Sequence, residues 1–134
     1  MFGAFDISAS ALSAQRVRMD TIASNIANID AVLTPDGKAQ PYRRMFATFQ
    51  SQRMASGGIG VGVASIEQDT VTPFVLKKEP GSPAADADGM VRYPNVDLFT
   101  ENANALETTR AYEANITAIE TTKSMINSTL RILA

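Results

Sequence analysis

A chain of 134 residues with a formal net charge of −2 is sized for one domain, with at most a small appended module. Its slight acidity gives no electrostatic reason to expect nucleic acid or an anionic membrane as partner, and no apolar run approaches the roughly 18 residues of a membrane span. The absence of His and Cys excludes disulfides, zinc sites built on those ligands and nucleophiles of the Ser-His or Cys-His kind.

The first predicted element is a long helix over residues 5–29. Two rows of residues recur there every seven positions and alternate by three and four, which is the seam spacing of a coiled coil. Between Ile7 and Ile29 the charged residues are Arg16, Arg18 and Asp20 alone, whereas a helix facing water normally carries a charged stripe. We therefore expect contacts on several sides, although the pattern also fits an amphipathic helix lying on its own domain. The rows are Phe5, Leu12, Met19 and Ile26, and Ser8, Gln15, Ile22 and Ile29.

The middle of the chain, residues 31–96, is rich in Gly, Pro and Val and predicts a small, mostly antiparallel β module. Residues 59–63 alternate apolar residues with Gly, which indicates a strand with a close backbone approach on one side. Asp36-Gly37 and Asp88-Gly89 are turn signals, and the Pro-containing stretch 79–85 predicts a loop. Further short strands are predicted at 71–76 and 90–93, and 42–49 fits either a strand or a short amphipathic segment.

A second long helix is predicted over residues 97–133, capped by Asn95 or Asp97 and helped by Glu101 in its first turn. Neither Gly nor Pro interrupts it, and some 36 residues at 1.5 Å each make a rod of about 54 Å. That length exceeds what a compact domain of this size accommodates. Its heptad row is Leu98, Ala105, Tyr112, Ile119, Ile126 and Leu133, with Thr109, Ile116, Lys123 and Leu130 as a partial companion row.

Three stretches resemble catalytic or binding motifs, and each fails a spacing test. The Gly-rich run 57–62 matches neither a dinucleotide-binding fingerprint nor a phosphate loop. The run 86–89 resembles the centre of a calcium loop, but its register would place Ala84 and Asn95 at ligand positions, so a plain Asx turn is predicted instead. The carboxylates of Glu107 and Glu113 lie on the predicted rod, where a solvated helix face is the expected role.

These elements predict an α+β fold in which long N- and C-terminal helices pair as a coiled coil, with a small β-rich module inserted between them. The expected domains are a helical inner domain of residues 1–30 and 97–134 and a β-rich middle domain of residues 31–96. Helices that cannot cover their own apolar rows favour an assembly component over an enzyme, and no catalytic, cofactor-binding or metal-binding residue is predicted. The predicted assembly interface is Leu12, Met19, Ile22, Ile26, Ile29, Leu98, Leu106, Tyr112, Ile116, Ile119, Ile126, Leu130 and Leu133.

Motifs at both ends resemble those of the bacterial flagellar rod and hook proteins. SALSAQRVRM at Ser10–Met19 and IASNIAN at Ile22–Asn28 are similar to the N-terminal signature of that family. YPNVD at Tyr93–Asp97 and RAYEAN at Arg110–Asn115 look like its C-terminal signature. The total length and PYRR at Pro41–Arg44 point to the short subunits of the proximal rod, because the distal rod and hook proteins carry extra domains.

This resemblance implies a non-enzymatic structural subunit of the basal-body rod, with an inner coiled-coil layer lining the export channel and the β-rich domain outside. The implied partners are copies of itself, other rod proteins, ring and adaptor proteins at the rod base, and the flagellar type III export apparatus, with no nucleic acid and no direct membrane insertion. The expected location is the periplasmic rod, reached without a cleaved signal peptide, and the N-terminal residues lack the features of such a signal. Two alternatives stay open: a compact helical ligand-binding protein or carboxylate enzyme with a β insert, and another short rod protein of the same family.

Overall fold

The computed structural model describes residues 2–134 and has two long terminal helices with a small antiparallel β module between them. This arrangement confirms the predicted α+β class. No helix in that range is long and apolar enough to cross a membrane. In chain order the elements are α1 (Phe2–Ala27), β1 (Met45–Arg53), β2 (Ile59–Gln68), β3 (Val75–Lys78), β4 (Met90–Tyr93) and α2 (Leu98–Leu133).

The start of α2 is fixed by Asp97, one of the two predicted caps. Its Oδ1 accepts a hydrogen bond from the backbone N–H of Phe99 (3.3 Å), and its Oδ2 accepts one from the Thr100 hydroxyl (2.7 Å). The Thr100 hydroxyl, followed by the backbone N–H groups of Phe99 and Thr100, lowers the pKa of the exposed Asp97 carboxyl against the opposing effect of burial. Asp97 therefore satisfies donors that the first turn of a helix leaves unpaired.

The strands form two separate two-stranded sheets, β1 with β2 and β3 with β4. The β3–β4 pair is antiparallel, with Val75 opposite Tyr93 and Lys78 opposite Met90. The β1–β2 connection is closed by the N–H of Met54, which donates to the carbonyl of Gly58 at 2.8 Å. Two-stranded ribbons bury little surface, so neither sheet supplies a core of its own.

The predicted strand 71–76 is largely wrong, because β3 begins only at Val75. The preceding residues are held in a turn by the carboxylate of Asp69. Its Oδ1 accepts the backbone N–H groups of Val71 (3.1 Å) and Thr72 (3.0 Å), and its Oδ2 accepts the Thr72 hydroxyl (2.7 Å). A local side-chain bond to the backbone thus replaces ladder pairing at these positions.

The segment with two predicted alternatives, 42–49, becomes a strand from Met45 onward. The predicted Asx turn is confirmed, since Asp86 Oδ1 accepts the N–H groups of Asp88 (3.0 Å) and Met90 (2.9 Å). The Asp36-Gly37 turn is confirmed as well, with Gly37 at a φ of +80°.

The chain divides into two compact units. The first unit comprises the residues up to Met19, Ala47–Ser65 and Ala105–Ala134, and the second comprises Asp20–Phe46 and Ile66–Asn104. The buried hydrophobic residues in the described chain are Ala14 in the first unit and Ile22, Ala84, Val91 and Val96 in the second.

The first unit therefore contains most of α1 and α2 but almost no core. Within its described residues, Ala14 is the one hydrophobic side chain that is fully buried. An alanine buries little apolar area, and burial of that area is the main favourable contribution to folding. The helices of the first unit are consequently left with apolar surface that the chain itself does not cover.

Candidate functional site

The predicted interface residues of α1 are partly sheltered. Ile22 is 5% exposed, and Leu12, Met19, Ile26 and Ile29 are half-buried. Ile29 lies just beyond the helix end, in a turn. The predicted interface residues of α1 are therefore largely covered by the chain itself, and part of their apolar surface remains exposed.

The predicted interface residues of α2 are much more exposed, although Ile119 and Ile126 are half-buried. Residues of this size are normally sheltered, and a contiguous exposed apolar patch marks an interaction surface. Three further exposed apolar residues, Phe99, Met125 and Ile132, were not included in the prediction. The exposed fractions of the predicted residues are 44% for Leu98, 54% for Leu106, 37% for Tyr112, 37% for Ile116, 58% for Leu130 and 78% for Leu133.

The sheltered side of α2 consists of small and polar residues and two isoleucines, Ile119 and Ile126. Its members are spaced by three and four along the helix, as one face of a helix requires. Two of them, Glu101 and Thr108, are fully buried, at 0% and 1% exposed. Ile119 and Ile126 of the heptad row lie on this sheltered side, whereas Leu106, Ile116 and Leu130 are exposed. The predicted contact of Ile22 and Ile26 with the isoleucines of α2 remains a prediction. The sheltered positions are Glu101, Asn104, Ala105, Thr108, Ala111, Asn115, Ile119, Thr122 and Ile126.

Within the first unit, α1 and α2 approach each other at an ion pair. A guanidinium nitrogen of Arg18 lies 3.5 Å from Glu107 Oε2, and the Glu107 side chain is 69% exposed. An exposed pair of this kind contributes less than about 1 kcal/mol. The ion pair shows where α1 and α2 lie close together, but it contributes little to the stability of their packing.

A second close contact in the first unit joins α1 to β2 at Ser10 and Gly60. The Ser10 hydroxyl donates to the carbonyl of Ile7 (2.6 Å) and accepts the backbone N–H of Val61 (3.0 Å). A Cβ on Gly60 would collide with the Ser10 hydroxyl and come within 2.9 Å of the Met54 sulfur. The predicted close backbone approach in this strand is confirmed, and glycine is the residue that allows it.

Sequence reasoning missed a cluster of buried polar side chains in the second unit, which begins at Asn25 near the end of α1. Asn25 is 1% exposed and makes four hydrogen bonds. Its amide group donates to the carbonyl of Met45 (2.7 Å) and to Glu101 Oε2 (3.3 Å). Its Oδ1 accepts the N–H of Met45 (2.9 Å) and the hydroxyl of Tyr42 (3.0 Å). One side chain thus joins α1, the start of β1 and α2.

Glu101, the most buried member of this polar cluster, is paired with Arg44. The Arg44 Nε donates to Glu101 Oε1, and a second guanidinium nitrogen lies 3.8 Å from Asp69 Oδ2. The backbone N–H of Arg44 donates to Asn95 Oδ1 at 2.7 Å. A buried carboxylate is tolerated because its oxygens are bonded to a cation and to an amide, here Arg44 and Asn25.

Asn95 and Asp69 complete the polar cluster. The Asn95 amide donates to the carbonyls of Asp69 (3.0 Å) and Thr72 (3.1 Å), which anchors the turn preceding β3. The backbone N–H and then the hydroxyl of Thr72 lower the pKa of Asp69, with smaller contributions from the N–H of Val71 and the charge of Arg44, against the opposing effect of burial. The cluster is structural, because its members satisfy one another inside the second unit.

The acidic side chains of the described residues are dispersed. Across residues 2–134, no group of three or more acidic side chains is positioned to hold a metal ion. Glu107 and Glu113, the carboxylates considered for acid–base work, are exposed on α2. The apolar row of α2 and the polar cluster are thus the features that bear on function.

Comparison with known proteins relates both ends of the chain to the flagellar rod. Residues 5–32 match the family described as flagella basal body rod protein, and residues 87–132 match the family described as flagellar basal body rod FlgEFG protein C-terminal. The chain is 46% identical to flagellar basal-body rod protein FlgC of Salmonella typhimurium, across 96% of this chain and 94% of that protein. The FlgC proteins of Bacillus subtilis and Borreliella burgdorferi are 41% and 40% identical, with coverage of 97% or more on both sides.

Proposed function

This chain belongs to the family of flagellar basal-body rod proteins FlgC, and from that membership we propose how it assembles. As a member it is a structural subunit of the bacterial flagellar basal-body rod and interacts there with other rod proteins. We propose that it polymerises through its two terminal helices into the proximal rod. The product is a stiff shaft of packed helices that transmits torque.

This mode of assembly is supported by the scarcity of buried hydrophobic side chains among the described residues of the first unit. Its helices bury Ala14 fully, whereas Leu106 and Leu130 on α2 are more than half exposed. Full burial of a leucine or isoleucine side chain contributes about 1.5 to 3 kcal/mol. Packing against neighbouring subunits provides that free energy, because assembly buries apolar side chains that are exposed in the single chain.

The proposed placement puts residues 1–30 and 97–134 in an inner layer that lines the export channel. The β-rich residues 31–96 lie outside that layer. The exposed β3, which carries Lys77 and Lys78, suits an outer surface in contact with water. Ring and adaptor proteins at the rod base and the flagellar type III export apparatus are the further proposed partners, and this part of the proposal is drawn from the family.

A catalytic role has no support. The relatives are named as rod proteins. Of the two carboxylates on α2, Glu107 and Glu113, the first forms an exposed ion pair with Arg18. The alternative that the chain is a different short rod protein has no support either, because the three relatives compared above, at 40% to 46% identity, are FlgC proteins.

The test is genetic deletion combined with isolation of basal bodies. We expect a strain without this chain to lose swimming and complete rods, and a plasmid copy to restore both. Mass spectrometry of basal bodies from the complemented strain should detect the chain as a stable component. Rods of normal length in the deletion strain would contradict the proposed function.

A further inference from the structure

A groove of about 500 Å³ lies entirely within the second unit. It runs between the segment that follows α1, the start of β1 and the β3–β4 region. Aromatic, proline and aliphatic side chains form much of its wall, interspersed with amides. We call it the Phe74 groove; the side chains used below are Leu33, Gln40, Arg43, Gln68, Phe74 and Arg92.

Two arginines share one aromatic ring in this groove. The guanidinium carbon of Arg43 lies 4.3 Å from the centroid of the Phe74 ring, and that of Arg92 lies 5.8 Å from it. Stacking on a ring restricts each guanidinium while leaving its N–H edge free to bind. Arg43 uses one N–H for the carbonyl of Asp69 at 3.1 Å.

Arg43 and Arg92 bring positive charge to the wall of the groove. No carboxylate lines the groove. Among the described residues, neither Arg43 nor Arg92 forms an ion pair, in contrast to Arg44, which is paired with Glu101. Two guanidinium groups lie within 6 Å of one ring centroid, and planar bidentate recognition makes a carboxylate the group that matches such a site.

We propose that the Phe74 groove binds an acidic peptide segment of a neighbouring rod subunit. A carboxylate of that segment sits between Arg43 and Arg92, and an adjacent apolar side chain packs on Leu33 and Phe74. The amides of Gln40 and Gln68 at the groove wall are placed to bond to its backbone. A volume of about 500 Å³ accommodates a few side chains of such a segment.

This inference rests on the proposed function, because a neighbour is present only when the chain is assembled. It adds a polar, specific contact in the β-rich region to the apolar contacts of the helices. Apolar rows at heptad spacing fix register weakly, whereas a paired charge penalises the wrong register. The groove therefore determines which neighbour docks and at what register.

The test places a photo-crosslinking amino acid at Gln40 in the full chain, expressed in a strain that lacks the native copy. Basal bodies are purified, irradiated and mapped by mass spectrometry. The expected product joins Gln40 to a segment of a rod subunit that carries Asp or Glu. A cross-link to a segment without a carboxylate, or no cross-link in rods that contain the subunit, overturns the inference alone. Rods that lack the subunit altogether overturn the proposed function together with it.

A charge exchange then tests the chemistry. Arg92→Glu should reduce the number of complete basal bodies about tenfold or more, and changing the mapped acid to Arg in the same strain should restore it. Arg53→Glu, at an exposed position outside the groove, is the matched control and should leave assembly unchanged. Failure of the exchange to restore assembly, with the Arg92 variant folded and exported, overturns the assignment. Inorganic phosphate serves as the probe for a free anion. If phosphate abolishes the Gln40 cross-link while the rod stays intact, the groove binds a small anion and the assignment to a peptide is overturned.

Discussion

Replacing Leu106 by Asp should impair assembly of the rod without affecting folding of the single chain. Leu106 is 54% exposed in the single chain, so a carboxylate at this position reaches water before assembly. Ile119 is less suitable, because it is half-buried within the chain and Ile119→Asp would combine a folding defect with an assembly defect. We expect Leu106→Asp to give a folded, exported subunit that does not extend the rod.

The size of the effect follows from burial in the assembled rod. Loss of the apolar contact of roughly half a leucine side chain removes about 1 kcal/mol. Desolvation of an unpaired carboxylate adds about 3 kcal/mol. Together these costs reach about 4 kcal/mol per subunit, which weakens association roughly a thousandfold. The penalty recurs at every subunit of this kind in the rod.

The assay is complementation of a deletion strain, with swimming, exported subunit and basal bodies measured in parallel. Ala118→Asp, at an exposed position about 120° around the helix from Leu106, introduces the same charge outside the predicted interface and should still support swimming. Normal swimming of the Leu106 variant would refute the argument that this residue is buried on assembly. Loss of the variant protein from the cell would show instead that Leu106 stabilises the single chain.

Three further predictions concern the single chain. Glu101→Ala should lower the free energy of unfolding by about 3 kcal/mol, measured by urea denaturation, since it removes the buried partner of Arg44 and Asn25 and leaves Arg44 only the longer contact with Asp69. Gly60→Ala should destabilise by about 1 to 3 kcal/mol through steric overlap with α1, whereas Gly81→Ala, which meets nothing within 4 Å, should change stability by less than about 0.5 kcal/mol. The pKa of Asp69 is lowered on folding, so the contribution of this carboxylate to stability is present above its ordinary pKa of 3.8 and is lost as pH falls through the lower folded pKa. Thr72→Val should raise the folded pKa of Asp69 in a carboxyl NMR titration. An unchanged titration would contradict the assigned cause.

The two helices and the turns were predictable because their signals are local. A heptad row without Gly or Pro specifies α2, and Asp97 reads as a cap from sequence alone. Asp-Gly at 36–37 predicts a turn because glycine readily adopts a positive φ. These elements depend on neighbours within a few positions, which a sequence displays directly.

The polar cluster and the true start of β3 were not predictable in the same way. Asn25 and Glu101 are 76 residues apart, and each appears in the sequence as an ordinary polar residue on a helix. Their burial depends on Arg44, which the fold brings to them from a third segment. The strand predicted at 71–76 begins four residues later, at Val75, because the bonds of Asp69 to the backbone outweighed the β propensity of Val71.

The central claim is that the apolar row of α2 is buried by neighbouring subunits in the rod. Because the chain contains no cysteine, a single cysteine at Tyr112 or Leu130 reports its own accessibility to a maleimide. We expect rapid labelling in the isolated chain and protection in purified basal bodies, with a cysteine at the exposed strand position Gln50 as the comparison in both states. Labelling of the α2 positions in intact rods at the rate of the isolated chain would contradict the account.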